Sequence, residues 1–223
     1  MQGLSCEVSC PLCLSDSAER FHQDNTKRSQ REYWRCNQCA LVFVPPTFFL
    51  NRDAEKAEYE LHENALADDG YRQFLNRFWK PFQEMIPECS DLLEFGCGPG
   101  PLLTSMMREA GHRVACFDPF FANDSSVLRV QAYDGVTATE VFEHLHDPKG
   151  VLEACLSYLK PTGSLGIMTK LVTTQEAFSK WHYKNDLTHV VFFSEATYQW
   201  IATQYELEWR QLAVDVAVFS KSA

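Results

Sequence analysis

The sequence predicts an α/β fold, a mostly parallel sheet covered by helices on both faces, with a small Cys-rich module in front of it. Three observations carry this reading. Strand-like and helix-like segments alternate from Gly70 onward, and alternation of that kind builds parallel sheets packed between helices. The stretch LLEFGCGPGPLL, residues 92–103, runs from a strand through three glycines into a helix. Two Cys-x-x-Cys pairs, Cys10/Cys13 and Cys36/Cys39, lie near the amino end.

Composition sets the outer limits. A chain of 223 residues suits one ordinary domain plus a small module. Hydrophobic residues make up 45%, enough for a real core. The formal net charge of −10 argues against general affinity for phosphate backbones, so nucleic acid is not the expected partner. No apolar run approaches the roughly 18 residues of a membrane span. The opening MQGLSCEVSCPLC lacks the basic-then-apolar pattern of a secretion signal, and a cytoplasmic location is the default expectation. In a reducing compartment, paired cysteines suggest metal before disulfide.

The elements follow in order. Residues 1–45 read as a zinc ribbon. Zinc takes four soft ligands in a tetrahedron, and each Cys-x-x-Cys turn supplies two thiolates. REYWRCNQC (31–39) reads as a hairpin returning to the second pair, and ALVFVPP closes as a short strand stopped by Pro45 and Pro46. Cys6 is a spare thiol; Cys89, Cys97, Cys116 and Cys155 sit singly in apolar contexts. A closed four-thiolate site leaves no open position, so its role is structural. The module has no excess of basic residues and so no nucleic-acid footprint.

Residues 46–70 are polar and acidic, a short helix and a lid or linker. Residues 71–223 form the main domain. YRQFLNRFWKPFQEMI (71–86) places Tyr71, Phe74, Leu75, Phe78, Phe82, Met85 and Ile86 at helical spacing, with Pro81 as a possible kink. DLLEFGC is a strand, PGPLLTSMMREAG a helix ending at Gly111, and HRVACFD and YDGVTATEV are strands. DPKGVLEACLSYLKPTG (147–163) is a helix with its exit turn, and SLGIMTK (164–170) the next strand. SEATYQWIATQYE is a helix with Ser194 as N-cap, and LEWRQLAVDVAVFSK holds the closing strands.

In the glycine loop, Gly96, Gly98 and Gly100 let the backbone pass close to a ligand at the carboxyl edge of the sheet. A nicotinamide-cofactor turn is one reading. Glu94, just before the loop, would repel a pyrophosphate and suits a ligand with an ammonium group. Asp118 ends the next strand, placed either to accept both hydroxyls of a ribose or simply to cap the strand.

These residues carry a resemblance. Glu94-Phe-Gly96-Cys97-Gly98-Pro-Gly100, then Asp118, then the Asp134–His144 strand end and LKPTGSL, resemble the motif series of class I S-adenosylmethionine-dependent methyltransferases. Together with the Cys-rich module, YELHEN and WHYKNDLTHVVFFS, the chain resembles bacterial methyltransferases that carry an amino-terminal zinc ribbon. The resemblance implies a Rossmann-like fold, S-adenosylmethionine as cofactor and methyl transfer as the reaction. It places the loop glycines and Cys97 along the methionine portion, Glu94 at its base, Asp118 on the ribose and Glu140 beside them. It also places Tyr59, His62 and Asn64 of the lid over the cofactor. One departure stands out: Asp134 follows Asp118 by only sixteen positions, where similar proteins have about thirty. A strand is reduced or missing there, and the adenine pocket falls to Phe117, Phe120 or Phe121.

TEVFEHLHDP (139–148) supports three readings. Glu140, Glu143 and His144, with His189 downstream, could hold a second divalent metal; the motif resembles that of ubiquinone-pathway O-methyltransferases and of small-RNA 2′-O-methyltransferases, the latter with a second downstream His. His144 or His189 could be a metal-free general base. Glu143 and His144 could be structural. The leading expectation is O-methylation of a small molecule. The alternatives are a zinc-ribbon binding or scaffold protein with a degenerate methyltransferase domain, or an RNA or protein methyltransferase.

Overall fold

The computed structural model describes residues 8–25, 29–60 and 69–221. The chain builds two sheets. The first contains β1 (Ala18–Gln23), β2 (Glu32–Cys36) and β3 (Val42–Phe43). Helices α1 (Arg52–Glu60) and α2 (Asp69–Gln83) follow. Helix α2 buries Leu75, Phe78 and Phe82 of the predicted stripe and, in addition, Trp79, and Pro81 lies inside it near its carboxyl end.

The main sheet then alternates with helices: β4 (Asp91–Phe95), α3 (Leu102–Glu109), β5 (Arg113–Phe117), β6 (Tyr133–Thr139), α4 (Pro148–Tyr158) and β7 (Leu159–Met168). A short helix α5 (Gln175–Ser179), strand β8 (Val191–Phe192), helix α6 (Glu195–Gln204) and strands β9 (Leu207–Ala213) and β10 (Val216–Lys221) complete it. Helix α6 starts on the Ser194 cap, whose hydroxyl accepts from the Thr197 amide while the Thr197 side chain accepts from the Ser194 amide.

The strand order is β5-β4-β6-β7-β10-β9. Strands β5, β4, β6 and β7 run parallel, and β10 and β9 close the sheet antiparallel. This is the mixed six-stranded sheet of a Rossmann-like α/β fold. The sheet ends at β5, as the short Asp118–Asp134 interval implies: that interval holds one β-bridge, Asp118 to Ala122, and a 3-10 turn at Ser125–Val127.

Three details differ from the sequence expectation. Strand β7 begins at Leu159, directly on the end of α4, so LKPTG is strand and not an exit turn; Tyr133 pairs with Leu159 and a register shift follows. Glu140 does not end β6 but leaves it, with a positive φ of 52°. The third concerns the small sheet. Its order is β1-β2-β3-β8, so its fourth strand comes from far along the chain, with Val42 opposite Phe192 and Phe43 opposite Val191. Cys10, Leu12, Cys36, Cys39 and Leu41 belong to the same buried cluster as Leu93, Val136 and Ile167 of the main sheet.

Candidate active site

At the end of β4 the chain must turn sharply. Gly96 has φ +78°, and a Cβ there would lie 2.4 Å from Val141 Cγ2, so only glycine fits. Its amide donates to the Phe117 carbonyl at 2.7 Å. Gly98 has φ +63°, and a Cβ there would meet no heavy atom within 4 Å. Its amide donates to Asp118 Oδ2 at 3.0 Å, while Oδ1 accepts from the amides of Phe120 at 2.8 Å and Phe121 at 3.1 Å. Asp118 therefore holds its own loop and the glycine loop together, with acceptor capacity left on Oδ2. Glu94 is only 4% exposed and accepts from the Thr104 hydroxyl. Burial pushes its carboxyl up to about 7.

These groups open onto a cavity of about 690 Å³. Its lining from the glycine loop and the end of β5 includes Glu94, Gly96, Cys97, Gly98, Asp118, Phe120 and Phe121. Tyr59 and Tyr71 also line it, as do Glu140, His144, Asp186 and His189. Six carboxylates and three imidazoles face it and, among the described residues, no Lys or Arg does. Tyr59 links the two parts: its ring lies 5.6 Å from Phe120 and 5.2 Å from His144. Gly100 is not part of the lining; its carbonyl accepts from Leu102 at the start of α3. His62 and Asn64 lie outside the described residues.

Glu143, His144 and His189 come together, each offering a ligand atom within 4.8 Å of the others. The His144 and His189 rings lie 4.6 Å apart. Glu143 sits behind them, fully buried, and does not line the cavity. Its Oε1 accepts from the Tyr183 hydroxyl, which also reaches Glu140 Oε2 at 3.4 Å. Burial, reinforced for Glu143 by the charge of Glu140, raises both carboxyls above the usual range. Among the described residues, Glu143 Oε2 and Glu140 Oε1 are buried without a hydrogen-bond partner.

His189 is 6% exposed, and its Nδ1 lies 2.7 Å from the Tyr183 carbonyl. A carbonyl only accepts, so Nδ1 carries the hydrogen, and in the ring's neutral form Nε2 is the basic nitrogen. Asp186 Oδ2 lies 3.8 Å from that nitrogen. Against the pull of burial, hydrogen bonds from Thr188 hold Asp186 below the usual carboxylate range.

A sequence profile for the methyltransferase domain matches residues 62–212. The chain belongs to this methyltransferase family. It is a class I S-adenosylmethionine-dependent methyltransferase. Similar curated proteins include the ubiquinone biosynthesis O-methyltransferase of Xanthomonas campestris pv. campestris, 29% identical over 171 residues, covering 58% of this chain and 70% of the relative. Among solved structures, 1,6-didemethyltoxoflavin-N1-methyltransferase of Burkholderia thailandensis, with 1,6-didemethyltoxoflavin and S-adenosylhomocysteine bound, shares the fold. Its TM-score is 0.50 at 16% identity, covering 91% of this chain and 100% of that one. An O-methyltransferase family protein from the same organism gives 0.50 at 14% identity, covering 76% and 63%.

The methyltransferase's cofactor fits what is present: a glycine cradle with open space at Gly98, a buried carboxylate at Glu94 and a strand-end carboxylate at Asp118. Sequence reasoning passed over Asp186 and the hydroxyl of Tyr183 as site groups. The D-x-x-H spacing from Asp186 to His189 was the available signal.

Proposed function

We propose that this methyltransferase acts on a hydroxyl oxygen of a small uncharged or cationic molecule, with His189 as general base. One observation carries the reading: the bond from Nδ1 to Tyr183 fixes the ring of His189 in the cavity lining with Nε2 as its basic nitrogen, and among the described residues no Lys or Arg lines that cavity. S-adenosylmethionine, when bound, supplies the activated methyl group on its sulfonium. Glu94 would hold its amino group, the amides of the glycine loop its methionine backbone, and Asp118 its ribose, with Phe120 and Phe121 toward the adenine. Tyr59 and His144 would bound the acceptor. The work left to the chain is to place the acceptor oxygen in line with the methyl and to take its proton at Nε2. Because no Lys or Arg lines the cavity among the described residues, a carboxylated or phosphorylated acceptor would find acidic groups and no cation to pair with, and be disfavoured. The relative named as an O-methyltransferase agrees with oxygen as the target.

The orphaned Oε2 of Glu143 favours a second reading. Glu140, the fourth residue of the expected metal set, is not among the clustered ligand atoms. Glu143, His144 and His189 fit a divalent cation, which when bound would lower the pKa of an acceptor hydroxyl. In that case Nε2 is a ligand and not the base. The four thiols of Cys10, Cys13, Cys36 and Cys39 lie within 4.8 Å of one another and fit a structural zinc.

Elemental analysis of the purified chain separates the two, alongside S-adenosylhomocysteine formation with a panel of neutral and cationic phenols and catechols. One zinc per chain, lost in Cys10→Ser and kept in Glu143→Ala, goes with the His base. A second metal lost in Glu143→Ala would replace it. No turnover with any hydroxyl acceptor, but turnover with amines, would overturn oxygen as the target.

A further inference from the structure

Arg31, just before β2, is 4% exposed. Its guanidinium donates to four backbone carbonyls of one short segment. Nη1 reaches Leu187 and His189, each at 3.1 Å; Nη2 reaches Asp186 at 2.9 Å and also Lys184. Burying a charge costs several kcal/mol unless its donors are matched; here one segment of backbone matches Nη1 and Nη2, while Nε, among the described residues, is buried without a hydrogen-bond partner. Two neighbours add to the grip. Lys184 pairs with Asp24 at 2.6 Å, both 5% exposed, and the Tyr33 hydroxyl lies 3.1 Å from the Lys184 carbonyl.

The gripped segment runs from the end of a 3-10 turn, His182–Asn185, to the start of β8. It bears Asp186 and His189, both in the cavity lining. Its far end is fixed from the same side: the Val44 amide donates to the Val190 carbonyl, and β3 pairs with β8. The Val190 amide in turn donates to the Glu143 carbonyl at 2.8 Å.

We propose that Arg31 is a positioning residue for methyl transfer: it folds 184–189 so that Nε2 of His189 faces the acceptor, and so couples the Cys-rich module to that end of the site. This rests on the reading of His189 as the group that meets the acceptor. A lysine could not substitute, because three donors on one atom cannot span four carbonyls as a planar fork does.

The test compares the full-length chain with Arg31→Met and Arg31→Lys. Thermal midpoint and metal content report folding. Calorimetry reports S-adenosylhomocysteine affinity, and the ring ¹⁵N shifts of His189, assigned by their loss in His189→Gln, report its tautomer. The expected result is affinity within about twofold of the parent while the His189 signals move from a fixed Nδ1–H tautomer to an averaged pattern, fully in Arg31→Met and partly in Arg31→Lys. An unchanged tautomer in either folded variant overturns the proposal. So does a loss of S-adenosylhomocysteine affinity that tracks the thermal midpoint, because Arg31 would then serve the fold alone. Should the parent chain bind no S-adenosylhomocysteine, the functional reading fails, while the tautomer still decides whether Arg31 positions His189.

Discussion

The Nδ1 of His189 lies 2.7 Å from the carbonyl oxygen of Tyr183, and this contact decides which face of the ring can do chemistry. It predicts a split between two near-isosteric variants. His189→Asn keeps an N–H near the position of Nδ1 and loses Nε2; His189→Gln does the reverse. Turnover should fall about 10²–10⁴-fold in His189→Asn, the usual contribution of a general base. S-adenosylhomocysteine affinity should stay within about twofold, because Glu94, Gly98 and Asp118 are untouched. Near-parental turnover in His189→Asn, measured at saturating acceptor, would remove His189 from the reaction.

Glu94 predicts a pH dependence of cofactor binding. Its carboxyl titrates at about 7 in the free protein because burial opposes the charge. The cofactor's amino group needs the ionised form. From pH 6 to pH 8 the ionised fraction rises from about one-tenth to about nine-tenths, so affinity for S-adenosylhomocysteine should strengthen roughly tenfold. Glu94→Gln should bind more weakly at pH 8 and show a flat profile. Stability runs the other way. Above about pH 4.5 the unfolded chain ionises this carboxyl while the folded chain keeps its proton until about pH 7, so the free protein loses stability across that window. The loss is on the order of 3 kcal/mol, which Glu94→Gln should remove. Parallel titrations of binding and of denaturant midpoint check both signs; a pH-independent affinity in the parent would place the amino group elsewhere.

Much of the glycine-loop side of the cavity was legible in the sequence because it is local. Glu94, Gly96, Gly98 and Asp118 fall at the ends of two adjacent parallel strands, and strand, loop and helix each have a recognisable pattern. The short interval after Asp118 likewise read correctly as a strand reduced or missing. The acceptor side was harder because its geometry is made by distant partners. Arg31 meets carbonyls 153 to 158 residues away, and β8 exists only because β3 offers it an edge. No local pattern marks Glu140 as a residue with positive φ, or shows that LKPTG continues straight from helix into strand.

The glycine loop predicts unequal costs at two similar positions. Gly96→Ala puts a Cβ 2.4 Å from Val141 Cγ2 on top of a left-handed φ, so the fold itself should suffer, by about 2–4 kcal/mol. Gly98→Ala has the same φ problem but open space, and should cost only about 1 kcal/mol. On the proposed placement of the cofactor, its methyl would instead project toward the cofactor's methionine backbone. The expected pattern is a large fall in thermal midpoint for Gly96→Ala, and for Gly98→Ala a small fall with at least about tenfold weaker S-adenosylhomocysteine binding. Equal stability losses in the two variants would argue that Val141 simply moves aside.

A zinc on the four thiols, as proposed, predicts a cooperative response to its removal. Cys10, Leu12, Cys36, Cys39 and Leu41 pack in one buried cluster with Leu93, Val136 and Ile167, and β3 is bonded to β8 in the second half of the chain. A module joined this way cannot melt alone without uncovering part of the main core. Calorimetric scans of the parent with and without a strong chelator, and of Cys36→Ser, should each give a single transition. Loss of zinc ligation should shift it down by roughly 6–12 °C if about 3 kcal/mol is lost from a chain of this size. The fall should come with a drop in turnover larger than the drop in S-adenosylhomocysteine affinity, since the 184–190 segment leans on the module and the glycine loop does not. A separate low-temperature transition, with the main one unmoved, would mean that the module unfolds independently and that the β3–β8 pairing carries little energy.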